Sequence, residues 1–142
     1  RSASGQLLVT GPGTGLAVSL AYTPQLLVAA VARGRRVGVD LEPDCPVPEA
    51  DLPLHLLSPA ERAIVARTPE AFLVIWTLKE ALVKERGEGL LADCPAIDTA
   101  PYARAAPFAL VERADGGIAC HARFRSGNKP YRLALLLGPL RR

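Results

Sequence analysis

Within VGVDLE, residues 37–42, Asp40 and Glu42 stand two apart on a segment rich in β-formers, which puts both carboxylates on one face of a strand. Val39 and Leu41 then point to the opposite face, toward a core. Two carboxylates held side by side repel, and a hard divalent cation such as Mg²⁺ relieves that repulsion through oxygen ligation. A solvated strand end with two ordinary surface acids is the competing reading of the same residues. Further along, WTLKEALVK covers residues 76–84, where Trp76, Glu80 and Lys84 recur at helical spacing. If Trp76 packs on the sheet, Glu80 sits at the rim of that contact and Lys84 one turn beyond it. A third carboxylate meeting Asp40 and Glu42, with a lysine alongside, makes a site for metal and phosphate. Phosphoryl transfer wants such a site, because positioning and charge neutralisation supply nearly all of its catalysis. A surface Glu80–Lys84 pair worth about 0.2–0.5 kcal/mol is the alternative, and periodicity alone leaves both open.

The elements that must position these residues have readable signals. LLVAAVA and VGVDLE flank the turn-like RGRR, which predicts an antiparallel hairpin with strands near 25–32 and 36–42. Residues 1–15 are rich in Gly, Ser and Thr and read as loop, with an edge strand at Leu7–Val9. DCPVPEADLP, 44–53, is broken by proline and predicts a loop crossing the molecule. Ser58-Pro59-Ala60-Glu61 places Ser at an N-cap, Pro at N1 and Glu at N3, a capping box. Thr68-Pro69-Glu70 repeats the signal before a longer helix with apolar residues from Phe72 to Val83, and Gly87 fits its C-terminal stop. PFALVE, IACHARFR and YRLALLL, separated by ADGG and SGNKP, predict an antiparallel meander. The expected class is α+β: an antiparallel sheet packed by a long helix.

Bulk properties narrow the function classes. The chain has 142 residues, 49% hydrophobic and 22% charged, which suits one globular domain spanning 1–142. Its longest clean apolar run, LLVAAVA, is too short to cross a bilayer, so no membrane is expected. No basic stretch followed by an apolar one opens the chain, and Cys45, Cys94 and Cys120 form no CxxC pair. The expected compartment is the reducing cytoplasm. A net charge of +3 suits an acidic partner or a phosphate ligand but is too small to argue for nucleic acid. GPGTG, 11–15, lacks the Lys-Ser/Thr of a phosphate loop, and His55 and His121 have no metal-ligand spacing. There is no Met, even at position 1, which raises the expectation of sequence upstream.

The two acidic motifs together resemble the signature of the 4′-phosphopantetheinyl transferases. That signature is a (I/V)-G-(I/V)-D-x-E strand, then W-(S/T/C)-x-K-E-(A/S)-x-x-K on a helix, continued as G-x-G-L. Gly38, Asp40, Glu42, Trp76, Thr77, Lys79, Glu80, Ala81, Lys84, Gly87, Gly89 and Leu90 all match, and the resemblance covers roughly residues 5–137. It implies Mg²⁺ held by Asp40, Glu42 and Glu80 against the pyrophosphate of coenzyme A. Lys84 then contacts the phosphates, and Lys79 belongs to the same charged neighbourhood. The implied acceptor is a serine of an acyl or peptidyl carrier protein; 3′,5′-ADP leaves. Glu80 is also placed to take the serine proton, directly or through water.

This chain departs from that pattern upstream. The family's G-(K/R)-P and (N/V)-(I/V/L)-S-H-(S/T) segments, which face the nucleotide end of coenzyme A, correspond to Gly5-Gln6-Leu7 and Ser19–Thr23. Gln6 replaces the basic residue, Ala21 the serine and Tyr22 the histidine, so two groups that would meet the 3′-phosphate are missing. Length is the second departure. The chain resembles the C-terminal half of the two-half, surfactin-synthetase-activating type, which creates the expectation of a homo-oligomer or of association with a separate N-terminal half. The expected function is therefore Mg²⁺-dependent transferase, with a degenerate, non-catalytic carrier-binding or scaffolding domain as the alternative.

Overall fold

The computed structural model describes residues 15–89 and 92–140. Three strands come first among the described residues: β1 (Leu16–Thr23), β2 (Leu26–Arg33) and β3 (Val37–Pro43). β1 and β2 form an antiparallel hairpin around Pro24–Gln25, with Thr23 Oγ1 accepting the Leu26 N–H at 3.2 Å. The predicted pairing of residues 25–32 with 36–42 does not occur. β2 pairs with the upstream strand, whose Ala- and Ser-rich LAVSLAYT carries a weaker β signal than LLVAAVA. β3 instead joins a four-stranded antiparallel sheet in the order β3-β6-β5-β4, built with β4 (Phe108–Glu112), β5 (Ile118–Ser126) and β6 (Lys129–Leu137). The predicted meander is present, and RGRR carries the chain from one sheet to the other.

Two helices complete the α+β fold. In α1 (Pro59–Arg67), Ser58 accepts the Glu61 N–H while the Glu61 side chain accepts the Ser58 N–H, so the capping box forms as read. The second start signal does not. α2 (Ala71–Arg86) begins after Glu70, and Thr68 instead ends α1, because its N–H is used by the Ile64 carbonyl. Gly87 closes α2 in the left-handed conformation, φ 74°.

α2 covers one face of the large sheet, burying Leu78, Ala81 and Leu82 against Ala119, Ala134 and Leu136. The hairpin covers part of the other face, with Ala21 packed among Val39, Leu41 and Tyr131. β3 lies between these two layers, so its acidic face is turned to α2 and not to solvent. The two layers touch closely at Gly38. A Cβ there would stand 1.9 Å from the Ala81 carbonyl oxygen, so only glycine lets the helix descend this far. Ser19, buried on β1, accepts the Val39 N–H at 3.0 Å and ties the hairpin to β3.

Trp76 meets the sheet only at its edge. It stacks on Phe72 with ring centroids 6.0 Å apart and joins the cluster with Leu57 and Ile75, while its indole N–H reaches Glu42 on the edge strand β3.

One histidine gives a pH-dependent expectation. His121 is buried on β5; its Nε2 accepts the Arg104 N–H at 3.4 Å and its Nδ1 has no partner among the described residues. Burial, then the nearby Arg132 charge, holds its pKa below the ordinary 6.5. Protonation therefore costs more in the folded chain, so stability is full above pH 6.5 and declines as the pH falls below it. In thermal melts across that range, His121→Leu is expected to flatten the decline; an unchanged slope would assign the acid sensitivity elsewhere.

Candidate active site

Asp40 and Glu42 project from β3 toward α2, and Glu80 and Lys84 project from α2 toward β3. Lys84 Nζ lies 2.7 Å from Asp40 Oδ1 and donates to the Val39 carbonyl at 3.1 Å. Asp40 is 6% exposed and its Oδ2 is buried with no hydrogen-bond partner among the described residues. Burial raises the Asp40 pKa, with Lys84 pulling it back. Glu42 is raised by burial and then by the Asp40 charge, while the Trp76 indole N–H beside it acts in the other direction. Glu80 is raised by burial and by Asp40, again opposed by Lys84. Three carboxylates, one buried and two half-buried, thus share one field with a single ammonium among them, an excess of negative charge that a further cation would relieve.

A cleft of about 470 Å³ opens on this group. Asp40, Glu42 and Lys84 line one wall, and Ala21 and Tyr22 of β1 line the other. Tyr22 is 78% exposed, so its phenol stands free at the rim, while Ala21 is buried in the hairpin packing. Residues 16–23, read as a segment rather than a strand, are therefore brought to the acidic group by the hairpin. Gly5 and Gln6, like Leu7–Val9, fall outside the described residues.

Lys79 is not part of this group. Its side chain is fully buried on another face of α2, 2.8 Å from Glu61 Oε2, and it donates to the carbonyls of Cys94 at 2.7 Å and Ile97 at 2.5 Å. The expectation that it shares a neighbourhood with Lys84 is corrected by helical geometry: five residues turn the two side chains to different faces. Lys79 instead ties the segment 94–97 to α1 and α2. Among the described residues no three His, Cys, Asp or Glu side chains stand arranged as a ready cation cage. The donor chemistry nonetheless fits a hard divalent ion, given the orphaned Asp40 oxygen and the mutual repulsion of the three acids.

Residues 36–136, most of the chain, match the family model of the 4′-phosphopantetheinyl transferase superfamily. The chain belongs to that superfamily. No curated protein aligns with it. Membership gives this transferase domain a general chemistry, the movement of a phosphopantetheine group, and assigns the strand β3 and helix α2 to the matched region. No helix among the described residues is long and apolar enough to cross a membrane. Two features of this acidic group had no signal in the spacing alone: the Lys84–Asp40 ion pair and the indole of Trp76 beside Glu42. An i,i+4 pattern places Trp76, Glu80 and Lys84 on one helix face, but only the angle between helix and strand aims the first at Glu42 and the last at Asp40.

Proposed function

We propose that this chain transfers the 4′-phosphopantetheine arm of coenzyme A to a serine of an acyl or peptidyl carrier protein, in a Mg²⁺-dependent reaction. The observation that carries the reading is the convergence of Asp40, Glu42 and Lys84 on one open cleft, with Glu80 sharing the field of Asp40 and Lys84. Asp40, Glu42 and Glu80 are the residues that would hold the metal. The ion, when bound, neutralises charge on the pyrophosphate oxygens.

The chain's own residues do the rest. Lys84, one-third exposed, binds a phosphate oxygen from the cleft wall and keeps the pyrophosphate in line for attack. The serine oxygen bonds to the phosphorus that carries pantetheine, the bond from that phosphorus to the bridging oxygen of the nucleotide breaks, and 3′,5′-ADP departs. Glu80 accepts the serine proton. Ala21 and Tyr22 line the nucleotide side of the cleft and bring no positive charge to it, so the 3′-phosphate is held weakly. The free thiols of Cys45, Cys94 and Cys120 suit a reducing cytoplasm.

The reading includes a partner surface. Tyr22, Leu27 and Val31 on the hairpin, and Phe108 and Leu110 on the edge strand β4, are exposed. A second copy of this chain, or a separate N-terminal half, covers them. Light scattering is expected to report an oligomer, or a monomer inactive without a partner; a monodisperse, active monomer would remove this element.

Mass spectrometry tests the activity itself. A carrier protein incubated with this chain, coenzyme A and Mg²⁺ is expected to gain one phosphopantetheine arm. Tight carrier binding without any mass gain would favour the scaffolding alternative that Gln6, Ala21 and Tyr22 keep open.

A further inference from the structure

A second cleft, of about 450 Å³, opens where α2 begins, and none of Asp40, Glu42, Glu80 or Lys84 lines it. Its volume falls in the range of small-molecule pockets. Ile64, Ala71, Val74 and Pro107 give it apolar walls, while Arg104, Arg123 and Arg132 stand around it. Asp44 bridges two of these arginines through their Nε atoms, at 2.5 Å from Arg123 and 2.9 Å from Arg132. The terminal guanidinium nitrogens of all three make no hydrogen bond among the described residues. The bridge therefore orients two planar forks and leaves their outer donors free for a ligand.

Charge decides the ligand class. Three arginines against Asp44 and Glu70 leave one positive charge in excess around the cleft. The start of α2 adds a partial positive charge, and Glu70 caps it with no side-chain hydrogen bond. One excess charge suits a monoanion better than a phosphate dianion, and the apolar walls ask for a tail behind it. We propose that this cleft binds a monocarboxylate with an apolar tail. The carboxylate takes paired N–H donors from Arg104 and Arg123, and the tail lies against Ile64, Ala71 and Val74.

Calorimetric titration of the full chain with octanoate, 1-octanol and acetate tests this. Octanoate is expected to bind more tightly than either partial mimic, with amide shifts in a ¹⁵N spectrum centred on residues 71–74 and 103–106. Arg104→Gln, at an exposed side chain with no partner to lose, is expected to weaken octanoate about tenfold and to leave octanol unchanged. Arg123→Gln added to it weakens octanoate further. Equal affinity for octanoate and octanol overturns the proposal. So do amide shifts confined to the exposed hairpin residues Leu27 and Val31, or an Arg104→Gln variant that binds octanoate like the parent.

Discussion

Asp40→Asn is expected to abolish transfer while making the folded chain more stable at neutral pH. On the proposed reading, the loss of activity follows from removing a buried carboxylate whose second oxygen has no hydrogen-bond partner among the described residues. Metal charge stabilisation of a phosphoryl transition state is worth several kcal/mol, so the rate falls by about a hundredfold or more. The gain in stability follows from the sign of the pKa shift. Burial raises the Asp40 carboxyl in the folded state, so its contribution is favourable below the ordinary carboxylate range and is lost as the pH rises through the raised value. A neutral amide avoids that loss and still accepts the Lys84 hydrogen bond. Thermal melts should show the variant above the parent at pH 7, with the gap closing under acid conditions. Mn²⁺ should raise the melting temperature of the parent and not of the variant. Full activity in Asp40→Asn would detach this carboxylate from the reaction. A variant less stable than the parent at pH 7 would show that the Lys84 pair outweighs burial.

Gly38→Ala is expected to cost at least about 3 kcal/mol, the upper part of the overpacking range. The new methyl would fall 1.9 Å from the Ala81 carbonyl oxygen and 2.5 Å from the Glu85 amide nitrogen. Both are backbone atoms, so no side chain can turn aside and α2 must lift from β3. Lifting carries Glu80 and Lys84 away from Asp40, so surviving folded protein should lose the metal-dependent rise in melting temperature. Denaturant unfolding measures the first effect and a melt with Mn²⁺ the second. A variant with unchanged unfolding midpoint and unchanged metal response would mean that the close contact between helix and strand carries no weight.

The parts of this fold written in local chemistry were legible from the sequence. Ser58 with Glu61, Gly87 after α2, and the three-strand meander each depend on residues near one another in the chain, and each formed as read. The family was legible too, because VGVDLE and WTLKEALVK agree in two separated places, and residues 36–136 bear it out. Spacing could also say that Asp40 and Glu42 share a strand face, since that follows from a period of two. Strand partners were another matter. RGRR between two β-rich runs looks like a hairpin turn. Whether β3 pairs with β2 or with β6 depends on which apolar faces are left to cover, a sum over the whole chain. Lys79 and Lys84 look equivalent in the motif, yet one is sealed against Glu61 and the other reaches Asp40. Local sequence specifies the type of each side chain and its phase along its own element. The meeting of phases from different elements is set by packing, here by how closely α2 can approach Gly38. That approach decided which carboxylates share a field and which lysine stands among them.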